Sequence, residues 1–248
     1  NSLVELEALL DERLPRPSYF TEDTDLDGVA EAYLQNGILQ AVIKLDPFAS
    51  VCELDAYRLH HNFGDTLRSQ TEHYHQKIQP GNNLAASHSA SGIASAHDRI
   101  SYKHEINAED IIPDDHPRSL FVDRLDGMFI NYHSKAAALE NNHFQSANTE
   151  YPIHKQFILD ANRLQVIYHF SAKMAHVFIT EINLAMPSCD GVGARYRHRG
   201  EILGGLGQSL QLKDINEIAM DDDTLGGNVI LTTSSPVTRS CRRHRRRP

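Results

Sequence analysis

The sequence predicts a mostly β chain of α+β class: a sandwich or jelly-roll core with N-terminal helices packed on it. Two observations carry that expectation. The back half is a series of short strand-like runs, YPIHKQFIL, LQVIYHFSA, AHVFITEINLA, EILGGL, QSLQL and GGNVILTTS, separated by Asp, Asn, Pro and Gly. Repeated short strands at such spacing build sandwiches and jelly rolls. The front half instead places apolar residues at helical intervals.

In the first unit Leu26, Val29, Ala30, Tyr33 and Leu34 recur at helical spacing, with Thr24 or Asp25 placed to cap the start and Gly37 to end it. ILQAVIKL, residues 38–45, reads as a strand. Asp46-Pro47 then supplies a capping side chain and a first-turn residue for a second helix, Pro47 to about His60, whose apolar face is Val51, Leu54, Ala56 and Leu59. From Gln76 to Asp98 the chain turns to Gly, Asn, Ser and Ala and reads as a long loop or lid. PRSLFVDRLDGMFINYHSK, residues 117–135, reads as a short helix, a turn at Asp126-Gly127 and a strand.

At 248 residues the chain can bury one sizeable core. Hydrophobic content of 40% and a mean hydropathy of −0.44 exclude wholesale disorder. No apolar run reaches the ~18–20 residues needed to span a bilayer, so no membrane span is expected. The sequence begins at Asn1 without a charged-then-apolar leader, which makes a soluble, cytoplasmic protein the expectation. Cys52, Cys189 and Cys241 are too few and too scattered for a disulfide framework and read as free thiols.

The net charge of −9 hides an asymmetry, because RSCRRHRRRP carries six arginines and leaves −15 on the remainder. Such a tail is either a solvated charge run or an anion tether. The acidic body argues against a broad nucleic-acid-binding face, so nucleic acid is an expected partner of the tail at most. Fifteen histidines are spread along the chain. Among them His154 stands two residues before Gln156, and strand geometry points residues i and i+2 to one side.

Placed in order, these segments resemble the phytanoyl-CoA dioxygenase family of non-haem iron, 2-oxoglutarate-dependent oxygenases, of the ectoine hydroxylase type. AYLQNGILQAVIKLDPFASVCEL is similar to that family's opening, GMFINYHSK to a strand that carries a basic 2-oxoglutarate ligand, and YPIHKQF to its aromatic-x-His-x-Asp-Phe metal strand. VFITEINLAMPSCDGVGARYRHRGE and GGNVILTTSSPVTRS resemble later family strands. The resemblance implies a double-stranded β-helix at 24–238, between an extension at 1–23 and an Arg-rich tail at 239–248. It implies Fe(II) as cofactor, held at His154, Gln156 and Thr238, and 2-oxoglutarate as co-substrate, held by Lys135 and Ser240. The expected activity is oxidative hydroxylation of a small-molecule substrate.

Gln156 stands in that family's carboxylate slot and Thr238 in its distal histidine slot. A neutral amide does not offset a metal's charge as a carboxylate does, and a 2-His-1-carboxylate set is what holds Fe(II) with open positions. The alternative is therefore a catalytically inactive binding protein of the same fold. His169, His176 and His198 read as core or surface histidines. Phosphate-loop and nucleophile-elbow patterns are missing from the sequence.

Overall fold

The structure is a computed structural model that describes residues 6, 18–66, 112–134, 143–147, 150, 152–171, 175–188 and 191–241. The expected lid at 76–98, Lys135, Cys189 and the arginines beyond Cys241 lie outside the described residues. The chain divides into two units, Asn1–Thr66 with Arg118–Arg243, and Leu67–Pro117 with His244–Pro248. Every strand named below belongs to the first.

Antiparallel strands make up the first unit, in three sheets among the described residues. The first sheet holds β1 (Ser18–Glu22), β2 (Glu31–Gln35), β3 (Leu39–Lys44), β4 (Val51–Ala56), β5 (His61–Asn62), β6 (Leu120–Leu125) and β7 (Met128–Phe129). The second holds β8 (Tyr132–Ser134), β9 (His143–Ser146), β10 (Ile153–Asp160) and β11 (Arg163–Phe170), in spatial order β11-β10-β9-β8. β12 (Phe178–Ile182) returns to the first sheet beside β6. The third sheet, in order β14-β13-β15-β16, holds β13 (Ala194–His198), β14 (Glu201–Gly205), β15 (Leu210–Asp222) and β16 (Gly227–Cys241).

The expected N-terminal helices are replaced by strands. Leu26 and Gly28 take φ of +58° and +89°, a left-handed backbone that ends any helix there. The apolar residues after them obey period 2: Ala32 and Leu34 are buried, and β2 pairs with β3 through Leu34↔Ala41 and Ala32↔Ile43. Asn36-Gly37 is the tip of that hairpin, not a helix stop. The Asn36 side-chain carbonyl accepts from the amides of Ile38 and Leu39, and Gly37 sits at φ +83°. Asp46 caps as its position suggests, its Oδ1 accepting from Phe48 and Ala49, but the turn it closes joins β3 to β4. Five apolar residues in a short window cannot separate a 3.6 period from a 2 period, and pairing with β3 decides it.

The region read as a short helix before Asp126 is β6. The turn at Asp126-Gly127 is present, with φ of +50° and +85°, as a two-residue hairpin from β6 into β7. In the back half the strand-like runs form β10, β11, β12, β14, β15 and β16. Their arrangement is a layered set of antiparallel sheets; the jelly-roll class with packed helices does not hold.

The core follows from that layering. Ala32, Leu34, Ala41, Ile43, Val51 and Leu120 from the first sheet meet Tyr132, Phe144, Ile153 and Phe157 from the second. A separate cluster, Ala194, Tyr196, Leu206, Ile218 and Met220, fills the third sheet. Leu39, Ala56 and Phe63, packed with Leu159, Leu184, Met186 and Val229, connect them.

Candidate functional site

Strand β10 carries two faces of different chemistry. Ile153, Lys155 and Phe157 are buried, while His154 is exposed and Gln156 and Ile158 are partly so. Cross-strand register extends the outward face. His154 lies opposite His169 on β11 and Gln145 on β9, and Gln145 lies opposite His133 on β8. A second row runs His143, Gln156 and Ile167, and a third pairs Ile158 with Gln165. Residues directly opposed in an antiparallel pair share a face. The face therefore presents four imidazoles, three amides and an apolar strip at Ile158 and Ile167. Its charged residues in β10 and β11 are Asp160 and Arg163 at the hairpin end, which pair at 3.0 Å.

Beneath it, the inward face places a lysine in the core. Lys155 Nζ lies 2.8 Å from Asp123 Oδ2, with both side chains at 0% exposure. Tyr132 donates its hydroxyl to the second lone pair of Asp123 Oδ2 and Tyr168 donates to Oδ1, each at 2.9 Å. The Lys155 ammonium also donates to the Phe121 carbonyl at 2.6 Å and lies 5.0 and 5.1 Å from the Tyr132 and Phe157 ring centroids. Phe121 makes this possible. It has φ +66° and sits where the β6–β12 register shifts, so a bulge turns its carbonyl out of the ladder and toward the lysine.

The electrostatics of that cluster are those of a closed site. Burial pushes the Lys155 ammonium below its ordinary value, and the Asp123 carboxylate offsets only part of this. Burial first, then the Asp123 charge, raises both the Tyr132 and Tyr168 phenols, which therefore stay protonated and serve as donors. Asp222, also buried, is used up locally: it accepts from the Ser188 amide and hydroxyl and from the amides of Thr224 and Leu225.

The residues singled out in the sequence fall in different places. His154 and Gln156 share the outward face of β10. Thr238 and Ser240 are exposed on β16, in another sheet, and share no described hydrogen bond with them. His198 donates from Nδ1 to the Glu217 carbonyl, 2.8 Å away, within the third sheet. Sequence reasoning missed Lys155, Asp123, Tyr132 and Tyr168. The signal was present in YPIHKQFILD, because alternation puts Lys155 on the same side as Ile153 and Phe157. A lysine there demands a buried acid.

The sequence model of the family described as Alpha-amylase/4-alpha-glucanotransferase, C-terminal, matches residues 23–242. The chain belongs to this family. Among solved structures the amylase/glucanotransferase C-terminal chain is similar to the 4-alpha-glucanotransferase from Thermococcus litoralis, with a TM-score of 0.55 at 16% identity. That likeness is one of fold. It covers 90% of this chain and 33% of that one, so the chain spans about a third of its neighbour's length. No curated protein matches the sequence.

Family membership overturns the resemblance to phytanoyl-CoA dioxygenases, and with it the expected oxidoreductase activity and the Fe(II) and 2-oxoglutarate requirement. The reason is physical. Short β segments with a histidine, a glycine turn and an apolar flank occur in many antiparallel folds, and matching their order does not match their pairing. As for membranes, no helix among the described residues is long and apolar enough to cross one.

Proposed function

We propose that this chain works as an accessory β-sandwich module of an enzyme acting on α-1,4-linked glucans, and that the outward face of β8–β11 lies against the glucan chain. The observation that carries the reading is the composition of that face. It is an antiparallel surface of imidazoles and amides, almost free of formal charge, with Ile158 and Ile167 half-buried between them. A neutral, hydroxyl-rich polymer with apolar sugar faces is the ligand such a surface suits, since amides and neutral imidazoles both donate and accept. The matched family, named for glucan-active enzymes, supplies the polymer class.

A supporting role fits two of the buried carboxylates among the described residues. Glycoside cleavage by paired carboxyl groups needs two of them flanking the scissile bond. Here Asp123 is enclosed by a lysine and two tyrosines, and Asp222 closes a turn.

The test is native gel electrophoresis of the 248-residue chain through soluble starch or amylose. Retardation is expected in the wild type and loss of it in a His154→Ala, His169→Ala double variant. Mobility that no glucan alters, or that the double variant leaves unchanged, removes this face from consideration.

A further inference from the structure

Strand β11 ends one side of the second sheet and pairs with β10 through eight consecutive residues without a register shift. β1, β8, β12 and β14, which also end sheets, are three to five residues long. Ser171 donates its amide to the Pro152 carbonyl at 3.2 Å, which continues the β10–β11 register by one pair. In an antiparallel ladder a residue points both backbone groups to one side, and its neighbours point theirs to the other. Arg163, Gln165, Ile167 and His169 therefore bond to β10, while Leu164, Val166, Tyr168 and Phe170 turn their N–H and C=O groups away from it. No strand among the described residues takes up those groups.

The side chains at that edge are apolar. Phe170 is 49% exposed, although its ring centroid lies 4.9 Å from that of Phe178 on β12 and 6.2 Å from that of Tyr168. Phe178 also meets Tyr168 at 4.8 Å, which sets the edge of the first sheet beside β11. There Val177 and Ile179 are 62% and 48% exposed.

We propose that the open edge of β11 pairs with β11 of a second copy of this chain, antiparallel across a twofold axis at Ile167. Such an axis, normal to the sheet, opposes inward residues to inward ones and outward to outward. Centred on Ile167, Leu164 of one copy opposes Phe170 of the other, and Val166 opposes Tyr168. Each pairing occurs twice, so all four sets of free backbone groups are taken up, and Leu164 covers the exposed Phe170 ring. On the outward face Gln165 opposes His169, an amide against an imidazole, and Ile167 meets its own copy. Arg163, the one formally charged residue of β11, falls opposite Ser171, so no like charges meet. An axis one residue to either side leaves Phe170 or Leu164 without a strand partner. This is strand addition with the chain as its own ligand, and it doubles the second sheet. The inference does not rest on the glucan reading, and its test uses no glucan.

The experiment is sedimentation velocity of the full chain over a range of concentrations, where a monomer–dimer equilibrium is expected. Ile167→Lys and Ile167→Glu each set two like charges against one another at the axis, and each variant should remain monomeric where wild type is dimeric. An equimolar mixture of the two should recover the dimer, which misfolded variants could not do. Ile167→Cys should give a disulfide-linked dimer on oxidation, beyond any that wild type forms, because opposed residues at that position lie ~4.5 Å apart between Cα atoms. Gln165→Cys, opposed to His169, should not. Wild type that stays monomeric throughout, a dimer that both charged variants keep, or a mixture that stays monomeric overturns the proposal. So does Gln165→Cys that cross-links as readily as Ile167→Cys.

Discussion

Lys155 and Asp123 form a fully buried ion pair, 2.8 Å from Nζ to Oδ2, that ties the second sheet to the first through one strand of each. Its value lies less in net stability than in what happens when half of it is removed. Two charges taken from water cost several kcal/mol, and their attraction returns this only when the remaining valences are filled.

Lys155→Met should therefore destabilise the fold by about 3–5 kcal/mol, since it strands the Asp123 charge among Tyr132 and Tyr168. Adding Asp123→Asn removes that charge and keeps an acceptor for a tyrosine. The double variant should recover part of the loss. Urea unfolding of the wild type, both single variants and the pair gives the coupling directly; strictly additive losses would show that the two groups do not interact.

Asp222 sets an acid limb. Burial alone raises its pKa, but donors from Ser188, then Leu225 and Thr224, hold the carboxyl below its ordinary 3.8. A carboxyl depressed in the folded state contributes stability above its unfolded pKa and loses it as pH falls toward the folded one. Asp222→Asn should cost about 1–3 kcal/mol at neutral pH. It should also flatten the decline of Tm below about pH 4, which thermal scans from pH 3 to 7 measure.

Gly64 is fixed by space. A Cβ there would lie 2.5 Å from the Cys52 carbonyl oxygen and 2.8 Å from Glu53 Cα, both backbone atoms of β4. Gly64→Ala should cost at least about 1–3 kcal/mol, because backbone rather than a side chain must move. A Tm within a degree of wild type would mean that β4 and the segment after β5 are not packed as described.

Restoring the residues of an iron triad should restore nothing. Gln156→Asp and Thr238→His would place a carboxylate on the outward face of β10 and an imidazole on β16, in different sheets. Iron affinity of the double variant, followed by calorimetry under anaerobic conditions, should equal that of the wild type.

The back half was legible because its strands alternate and its turns carry Gly, Asn and Asp where the backbone needs them. Asp126-Gly127 shows the rule at work. The front half misled because Leu26, Val29, Ala30, Tyr33 and Leu34 satisfy two periods at once, and nothing local chooses between them. Asn36-Gly37 held the answer, as a hairpin signal between two runs of strand-forming residues. The two faces of β10 show a second limit: alternation reveals that Lys155 points inward, but only pairing across sheets supplies Asp123, thirty-two positions earlier in the chain. The loop at Asp23–Gly28 shows a third, since Thr24 or Asp25 reads as a helix cap until the left-handed Leu26 rules a helix out.

The outermost strand of the third sheet, β16, is fifteen residues long and largely exposed. A flat edge of that length would invite a second chain to pair along it. Two register shifts interrupt its pairing with β15, between Leu212 and Ile215 and between Ile215 and Glu217, and Pro236 falls among the residues they leave unmatched. Proline offers no amide to an incoming strand, and bulges twist an edge away from flatness. The ribbon thus guards itself against aggregation, and replacing Pro236 by a β-branched residue is where that protection would be lost.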